Sequence, residues 1–171
     1  MRRFRAQGPG PLPAAVTAAL PAGERPLAWA REGVTGGVVV VGTSAVHLVG
    51  PEGADALDRP WHVVDGASWD HEAMSLTLTW VDGTAPTRWW LPTPARVPEV
   101  LRERVEATVV ILETVELGPS RSARVAVRRD LGSGRLLGQV VLAPEARADD
   151  KPLADAALEV LARLEEQAGL R

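Results

Sequence analysis

The sequence predicts an α+β protein in which a run of short antiparallel strands is closed by one helix and followed by a smaller strand set with a second helix. Three observations predict it. Apolar residues recur at a period of two from Leu27 to Leu91. Helical spacing then takes over at Thr93–Ala107 and returns near the C-terminus at Pro152–Ala168. Strand runs that end in helices, without a regular strand–helix–strand alternation, belong to α+β and not to βαβ architecture. A chain of 171 residues suits one domain, or one with an appendage.

The elements follow in order. Residues 1–23 form an N-terminal arm: Gly, Pro and Arg dominate 1–11, read as disordered, and Pro13–Leu20 can make two helical turns ended by Pro21. Leu27–Glu32 is a short strand, and Gly33, Gly36 and Gly37 supply the turn after it. Gly37–Gly42 and Ala45–Gly50 flank Thr43-Ser44 as a hairpin. Val38–Val41 is apolar at every position, as a strand covered on both faces would be. Pro51–Asp58 reads as a loop, and Arg59–Val64 with Ala67–Asp70 as strand pieces kinked at Asp65-Gly66. In Met74–Val81, Leu76, Leu78 and Trp80 alternate with Thr77 and Thr79, which marks a half-buried strand. Asp82-Gly83 turns it into Thr87–Leu91.

Beyond the Thr93–Ala107 helix, Thr108–Leu117 suits strand or helix. Its β-branched Val109, Val110 and Ile111 favour a strand, which Gly118-Pro119-Ser120 then joins to Ser122–Arg129. Asp130–Gly134 turns into Arg135–Leu142, a loop covers Ala143–Asp150, and the last helix repeats Leu153, Ala157, Val160, Leu161 and Leu164 on one face. The division expected is 1–23 as arm, 24–107 as first domain, and 108–171 as a ββ(β)α extension packed on it.

Charge agrees with two pieces. Residues 27–95 carry three arginines against eight acids, and residues 96–140 eight arginines against six acids. The net charge of −3 speaks against a general polyanion binder. With no cysteine, thiol nucleophiles, redox pairs and cysteine-ligated zinc are excluded. No stretch reaches 18 consecutive apolar residues, and Met1-Arg2-Arg3-Phe4-Arg5 is followed by prolines without a Leu/Val-rich core. A cytoplasmic protein is expected.

The run Glu24-Arg25-Pro26-Leu27-Ala28-Trp29-Ala30, the Gly37–Val41 stretch into Thr43-Ser44, and Val46-His47-Leu48-Val49 resemble a bacterial pleckstrin-homology-like (PH-like) domain of the GRAM type. Pro60-Trp61-His62, Trp69-Asp70 and Pro92-Thr93-Pro94 continue the likeness, which covers residues 24–107. The whole chain is also similar to actinobacterial proteins built on such a unit. The resemblance implies an antiparallel barrel or sandwich of two near-orthogonal sheets closed by a C-terminal helix, serving as a binding scaffold for phosphoinositides or proteins. Lipid-binding versions carry several basic residues in the first loop. Here Arg31 stands beside Glu32 in an acidic block, which favours a protein adaptor.

Candidate sites divide by chemistry. His62 and His71 lie near Asp65, Asp70 and Glu72, but their spacing matches no helical ligand pair, and solvated or hydrogen-bonded strand residues are expected. His47, on an apolar strand, reads as a satisfied core histidine. Gly42-Thr43-Ser44-Ala45 is no nucleophile elbow, and Asp130-Leu131-Gly132-Ser133-Gly134 lacks the lysine of a phosphate loop. No enzymatic role, cofactor or metal is therefore expected. Arg121, Arg124, Arg128, Arg129 and Arg135 could form a basic patch for phosphate or an acidic partner, against which stands cross-strand pairing with Glu113, Glu116 or Asp130.

The aromatic content is six tryptophans and one phenylalanine, with no tyrosine. Most tryptophans should fill core. Trp89 and Trp90 are adjacent on one strand and point to opposite faces, so one can be exposed beside Arg88 and anchor a partner. It stays covered if Pro11–Leu20 or the C-terminal piece folds over that face. The reading is a non-enzymatic binding module whose partner is a protein or a second copy of the chain. The alternatives are a membrane surface or lipid met by the basic arm, and nucleic acid (itself disfavoured) or the ribosome met by the Arg121–Arg135 hairpin.

Overall fold

A computed structural model describes residues 8–53 and 55–170. The disordered arm expected over 1–11 falls mainly outside the described residues. The chain clusters into two compact units, residues 1–106 and 107–171.

Unit 1 opens with helix α1 (Ala14–Ala19) and carries strands β1 (Pro26–Arg31), β2 (Val38–Gly42), β3 (Ala45–Val49) and β4 (Asp55–Pro60). These pair antiparallel in sequence order as one four-stranded sheet. A 3-10 turn at Trp61–Val63 then leads to β5 (Val64–Asp70), β6 (Ser75–Trp80) and β7 (Thr87–Trp90), a separate three-stranded antiparallel sheet. Helix α2 (Val97–Thr108) follows. The two sheets do not join into a closed barrel, which corrects that form of the fold expectation.

Two local readings are also corrected. Pro51–Asp58 is not all loop, because β4 begins at Asp55 and pairs with β3. Arg59–Val64 is not one strand either. Pro60 ends β4, and Trp61 tucks into the core with its indole N–H donating to the Gly42 carbonyl (3.0 Å), so the chain changes sheets through a tight turn. The kink expected at Asp65-Gly66 is present as a register shift between Val64 and Gly66.

Burial follows the sequence pattern closely. All five residues of β2 are buried. Val38 and Val40 pack with Trp29, Val49 and Val16 of α1, so the short N-terminal helix covers this outer sheet face. Leu76, Leu78 and Trp80 are buried, as the alternation required. Trp80 donates to Thr87 Oγ1 (3.2 Å) and carries the Arg59 guanidinium 4.3 Å above its ring. Val97, Val100 and Leu101 form the buried face of α2.

Unit 2 contains β8 (Val109–Glu116), β9 (Ser122–Arg129), β10 (Leu136–Leu142) and helix α3 (Lys151–Gln167). Thr108–Leu117 is thus a strand over most of its length. The sheet order is β10-β9-β8, antiparallel throughout. Ala123, Val125 and Val127 of β9 pack with Leu153, Ala157 and Leu164 of α3. Asp150 caps α3 by accepting from the Leu153 N–H (3.1 Å). Gly169, at φ 75°, ends it in the left-handed region that glycine enters without strain.

Candidate functional site

The expected split of the tryptophan pair is present. Trp89 is buried and faces the sheet interior, whereas Trp90 is 46% exposed. Arg88 shares the outer face with Trp90 and reaches across to β6, where Nη2 donates to Ser75 Oγ (2.8 Å). The Pro11–Leu20 segment does not cover Trp90, because α1 is spent on Trp29.

What holds Trp90 is the turn between β1 and β2. The Gly33 N–H donates to the Trp90 carbonyl (2.9 Å), and the Trp90 N–H donates to Glu32 Oε1 (3.3 Å). The indole lies against Gly33, where any side chain would collide with the ring. Glu32 is itself buried and fills the turn. It accepts from the Val34 N–H (3.1 Å), the Thr35 N–H (2.6 Å) and the Thr35 hydroxyl (2.7 Å). Burial opposes its charge, but the bonds from Thr35, Val34 and Trp90 outweigh that and hold its carboxyl below the usual carboxylate range. Val34, at the tip of this turn, is 79% exposed. The surface therefore presents Trp90 and Val34 on a backbone fixed by a buried carboxylate, with Arg31 and Arg88 exposed on the flanking strands.

A second buried carboxylate ties together three segments of the same unit. Glu24 accepts from the Thr43 N–H (2.7 Å), the Thr43 hydroxyl (2.7 Å) and the Ser44 hydroxyl. His47 lies between two acids, with Nε2 3.3 Å from Glu24 and Nδ1 3.4 Å from Asp58. Burial opposes the charge of Glu24, but bonds from His47, Ser44 and Thr43 hold its carboxyl far below the ordinary range. His47 is thus a core histidine with partners, as expected. Thr43 and Ser44 donate to this carboxylate, an arrangement that fastens the hairpin.

Between β5 and α2 lies a cleft of about 290 Å³, lined by Trp69, His71, Leu76, Pro98, Glu99 and Arg102 among others. The Trp69 indole N–H donates to His71 Nδ1 (3.0 Å), with the two rings edge to face at 5.9 Å. Arg102 is engaged by Glu106 at 2.7 Å. The cleft offers an aromatic wall and a polar rim. His71 is exposed and hydrogen-bonded, but it lies in the turn after β5, and His62 sits half-buried on the 3-10 turn, so neither is the strand residue expected.

The arginines of unit 2 do not assemble as one patch. Arg121 forms a two-pronged pair with Asp150 (2.7 and 3.0 Å), which lowers the Asp150 carboxyl to about 2 together with the Leu153 N–H. Arg128 is buried, Arg124 is exposed on the same strand face, Arg129 is exposed on the opposite one, and Arg135 is exposed at the start of β10. Nor does Glu113 pair across the sheet. It binds Arg163 of α3 through both oxygens (2.9 and 2.8 Å).

Sequence reasoning missed the two organising carboxylates. Glu24 entered only as part of a resemblance, and Glu32 as a negative charge beside Arg31. The local signal for Glu32 was a threonine three residues on, within a Gly-rich turn. Comparison with known proteins returned no matching family model, no matching curated protein and no matching solved structure. Among the described residues no helix is long and apolar enough to cross a membrane.

Proposed function

We propose that the chain is a non-enzymatic, cytoplasmic binding module of PH-like fold that grips a protein partner through the Trp90–Val34 surface. One observation carries the reading. Trp90 is the tryptophan left in solvent while four others are buried, and its backbone is bonded on both sides to the β1–β2 turn. A rigid, amphipathic ring with its conformational entropy already spent is the kind of anchor that interfaces use most. Arg88 and Arg31 add a polar, cationic rim suited to an acidic or carbonyl-rich partner. The PH-like reading is supported by the order of four strands, three strands and a helix over residues 24–107.

The test is quantitative affinity purification of tagged full-length protein and its Trp90→Ser variant from native cells. The variant should keep the wild-type fold with a modest loss of stability from the contact over Gly33, yet lose one or a few co-purifying proteins at least about tenfold, as expected when an interface hot spot is removed. Equal recovery of every co-purifying protein would defeat the proposal. Binding to anionic vesicles that Trp90→Ser abolishes, with no protein partner lost, would replace it by a membrane role.

A further inference from the structure

A second surface of unit 1 lies under the chain's own N-terminal segment. Trp29, Val38, Val40 and Val49 belong to one buried cluster on the β1–β4 sheet. Trp29 is the cross-strand partner of Val40, and Val38 that of Val49, so the four line one face. Val16 of α1 packs on this floor, with Leu12, Ala19 and Leu20 around it. The fastening is slight. Among the described residues no hydrogen bond joins residues 8–20 to the rest of the unit, and the Thr17 N–H and hydroxyl both turn back to the Pro13 carbonyl. Helix α1 has six residues, no side-chain cap and one buried side chain. A helix that short has no stability of its own in water.

Beneath this cover a polar group goes unanswered. Trp29 is 3% exposed, yet its indole N–H has no acceptor. The indole N–H groups of Trp61 and Trp80, buried in the same unit, both have one. At Trp29 the ring edge carrying the N–H faces Gly8, which meets it with bare backbone because any side chain there would collide. A buried donor without an acceptor forfeits its hydration for nothing, so it opposes closure of the segment above it. Apolar contact holds residues 8–20 down, and the unanswered N–H works against it.

We propose that residues 8–20 are a displaceable strap, and that the floor beneath takes an amphipathic helix of another protein, which brings a hydrogen-bond acceptor to Trp29 Nε1. The strap itself shows what the floor accepts. Leu12, Val16, Ala19 and Leu20 stand at i, i+4, i+7 and i+8, one face of a helix and the anchor spacing of helix recognition. The strap realises that pattern poorly. Only Ala14–Ala19 is helical, prolines at 9, 11 and 13 stop it short of Leu12, and one anchor is an alanine. A better occupant is a helix that runs on for another turn, with a larger residue at the Ala19 position. An Asn, Gln, Asp or Glu four residues before the Leu12 position would then share the anchored face and answer the indole. The tether keeps the strap at high local concentration, so helices that fit less well are shut out. This floor is separate from the Trp90 platform, and either can stand without the other.

The probe is a fluorescein-labelled peptide of residues 8–20 carrying Gly8→Gln, Pro9→Ala, Gly10→Ala, Pro11→Ala, Pro13→Ala and Ala19→Leu, read by polarisation against the full-length chain. Ala15→Cys with Gly53→Cys supplies a lock. A Cβ at Gly53 would stand 4.0 Å from that of Ala15, inside the range of about 3.5–4.5 Å for disulfides, and the chain has no cysteine of its own. Gly53 sits at φ 81°, so the reduced double variant is the reference for the oxidised one. The reduced form should bind the peptide, and oxidation should weaken binding at least about tenfold, because the open state is removed. Val16→Asp puts a charge on the buried side of the strap and should bind at least about tenfold more tightly than wild type. A peptide with Gly8→Ala in place of Gly8→Gln should bind about threefold more weakly, the loss of one hydrogen bond. Equal binding by the oxidised and reduced forms, no binding by the reduced form, a folded Val16→Asp no tighter than wild type, or equal binding of the two peptides would overturn the proposal. A reduced form that excludes the peptide and dimerises by exchanging straps would replace it with a swap between copies. Should Val16→Asp lose the wild-type circular dichroism spectrum, the lock decides alone.

Discussion

The two units solve the same problem with different amounts of covering material. Unit 1 buries β2 on both faces, with α1 over Trp29 on one of them, and puts four of six tryptophans inside. Unit 2 covers one face of its sheet with α3 and leaves Val110 and Leu112 in solvent on the other. An exposed large apolar residue therefore means different things in each. Where nearly everything apolar is enclosed, a tryptophan held outside by backbone bonds is a specific feature. Where an edge strand leaves Val109, Val110 and Leu112 exposed together, a single exposed residue says little. Polar fastening differs as well. Unit 1 uses buried carboxylates, Glu24 and Glu32, bonded mainly to neutral donors, whereas the ion pairs of unit 2, Arg121–Asp150 and Arg163–Glu113, reach towards solvent.

The largest effect should come from emptying the enclosed core. Trp80→Ala should cost about 3–5 kcal/mol in chemical denaturation, because the ring fills a buried site and loses its bond to Thr87. A loss under about 1 kcal/mol would mean that the β6 register is wrong. Leu164→Ala, in the one-sided core, should cost about 2–4 kcal/mol, since a layer backed by a single helix can collapse more readily around the gap. An equal or greater loss than Trp80→Ala would remove the distinction between the cores.

Glu24 sharpens the comparison through pH. Its carboxyl is lower in the folded protein than in the unfolded chain, so the unfolded state takes up the proton first as pH falls. The stability that Glu24 contributes is thus fully present above about pH 4.5, the ordinary glutamate range, and is lost as the medium is acidified below it. Glu24→Gln should lower stability at pH 7 and flatten the acid limb of a stability-against-pH curve. An unchanged acid limb would show that the Thr43–Ser44 hairpin does not depend on the charge.

Much of this architecture was legible in the sequence. Strand β6 could be read because Leu76, Leu78 and Trp80 alternate with threonines, and α3 because its leucines keep helical spacing up to Gly169. The first part of strand β4 was not, because Asp55 and Asp58 look like loop and become strand only by pairing with β3. The 3-10 turn was hidden because Trp61 fits an apolar strand pattern while its burial is set by a bond to Gly42, 19 residues away. The split of Trp89 and Trp90 was legible from alternation alone. That Glu32 would fix Trp90 was not, since Thr35 signals only the local turn, whereas the bond from the Trp90 N–H comes from 58 residues away. The Arg121–Asp150 pair joins residues 29 apart, beyond the reach of cross-strand reasoning.

The most direct measurement leaves Trp90 intact and asks what lies against it. Val34 is exposed at the tip of the turn on which Trp90 is seated, so a benzophenone amino acid placed there in the full chain would report the neighbour on illumination in cells. Expected is a discrete adduct with another protein that disappears when Trp90→Ser is added and is absent when the same probe replaces Leu158. No adduct at Val34, or one that survives the loss of the indole, would contradict a role for Trp90 as a binding anchor.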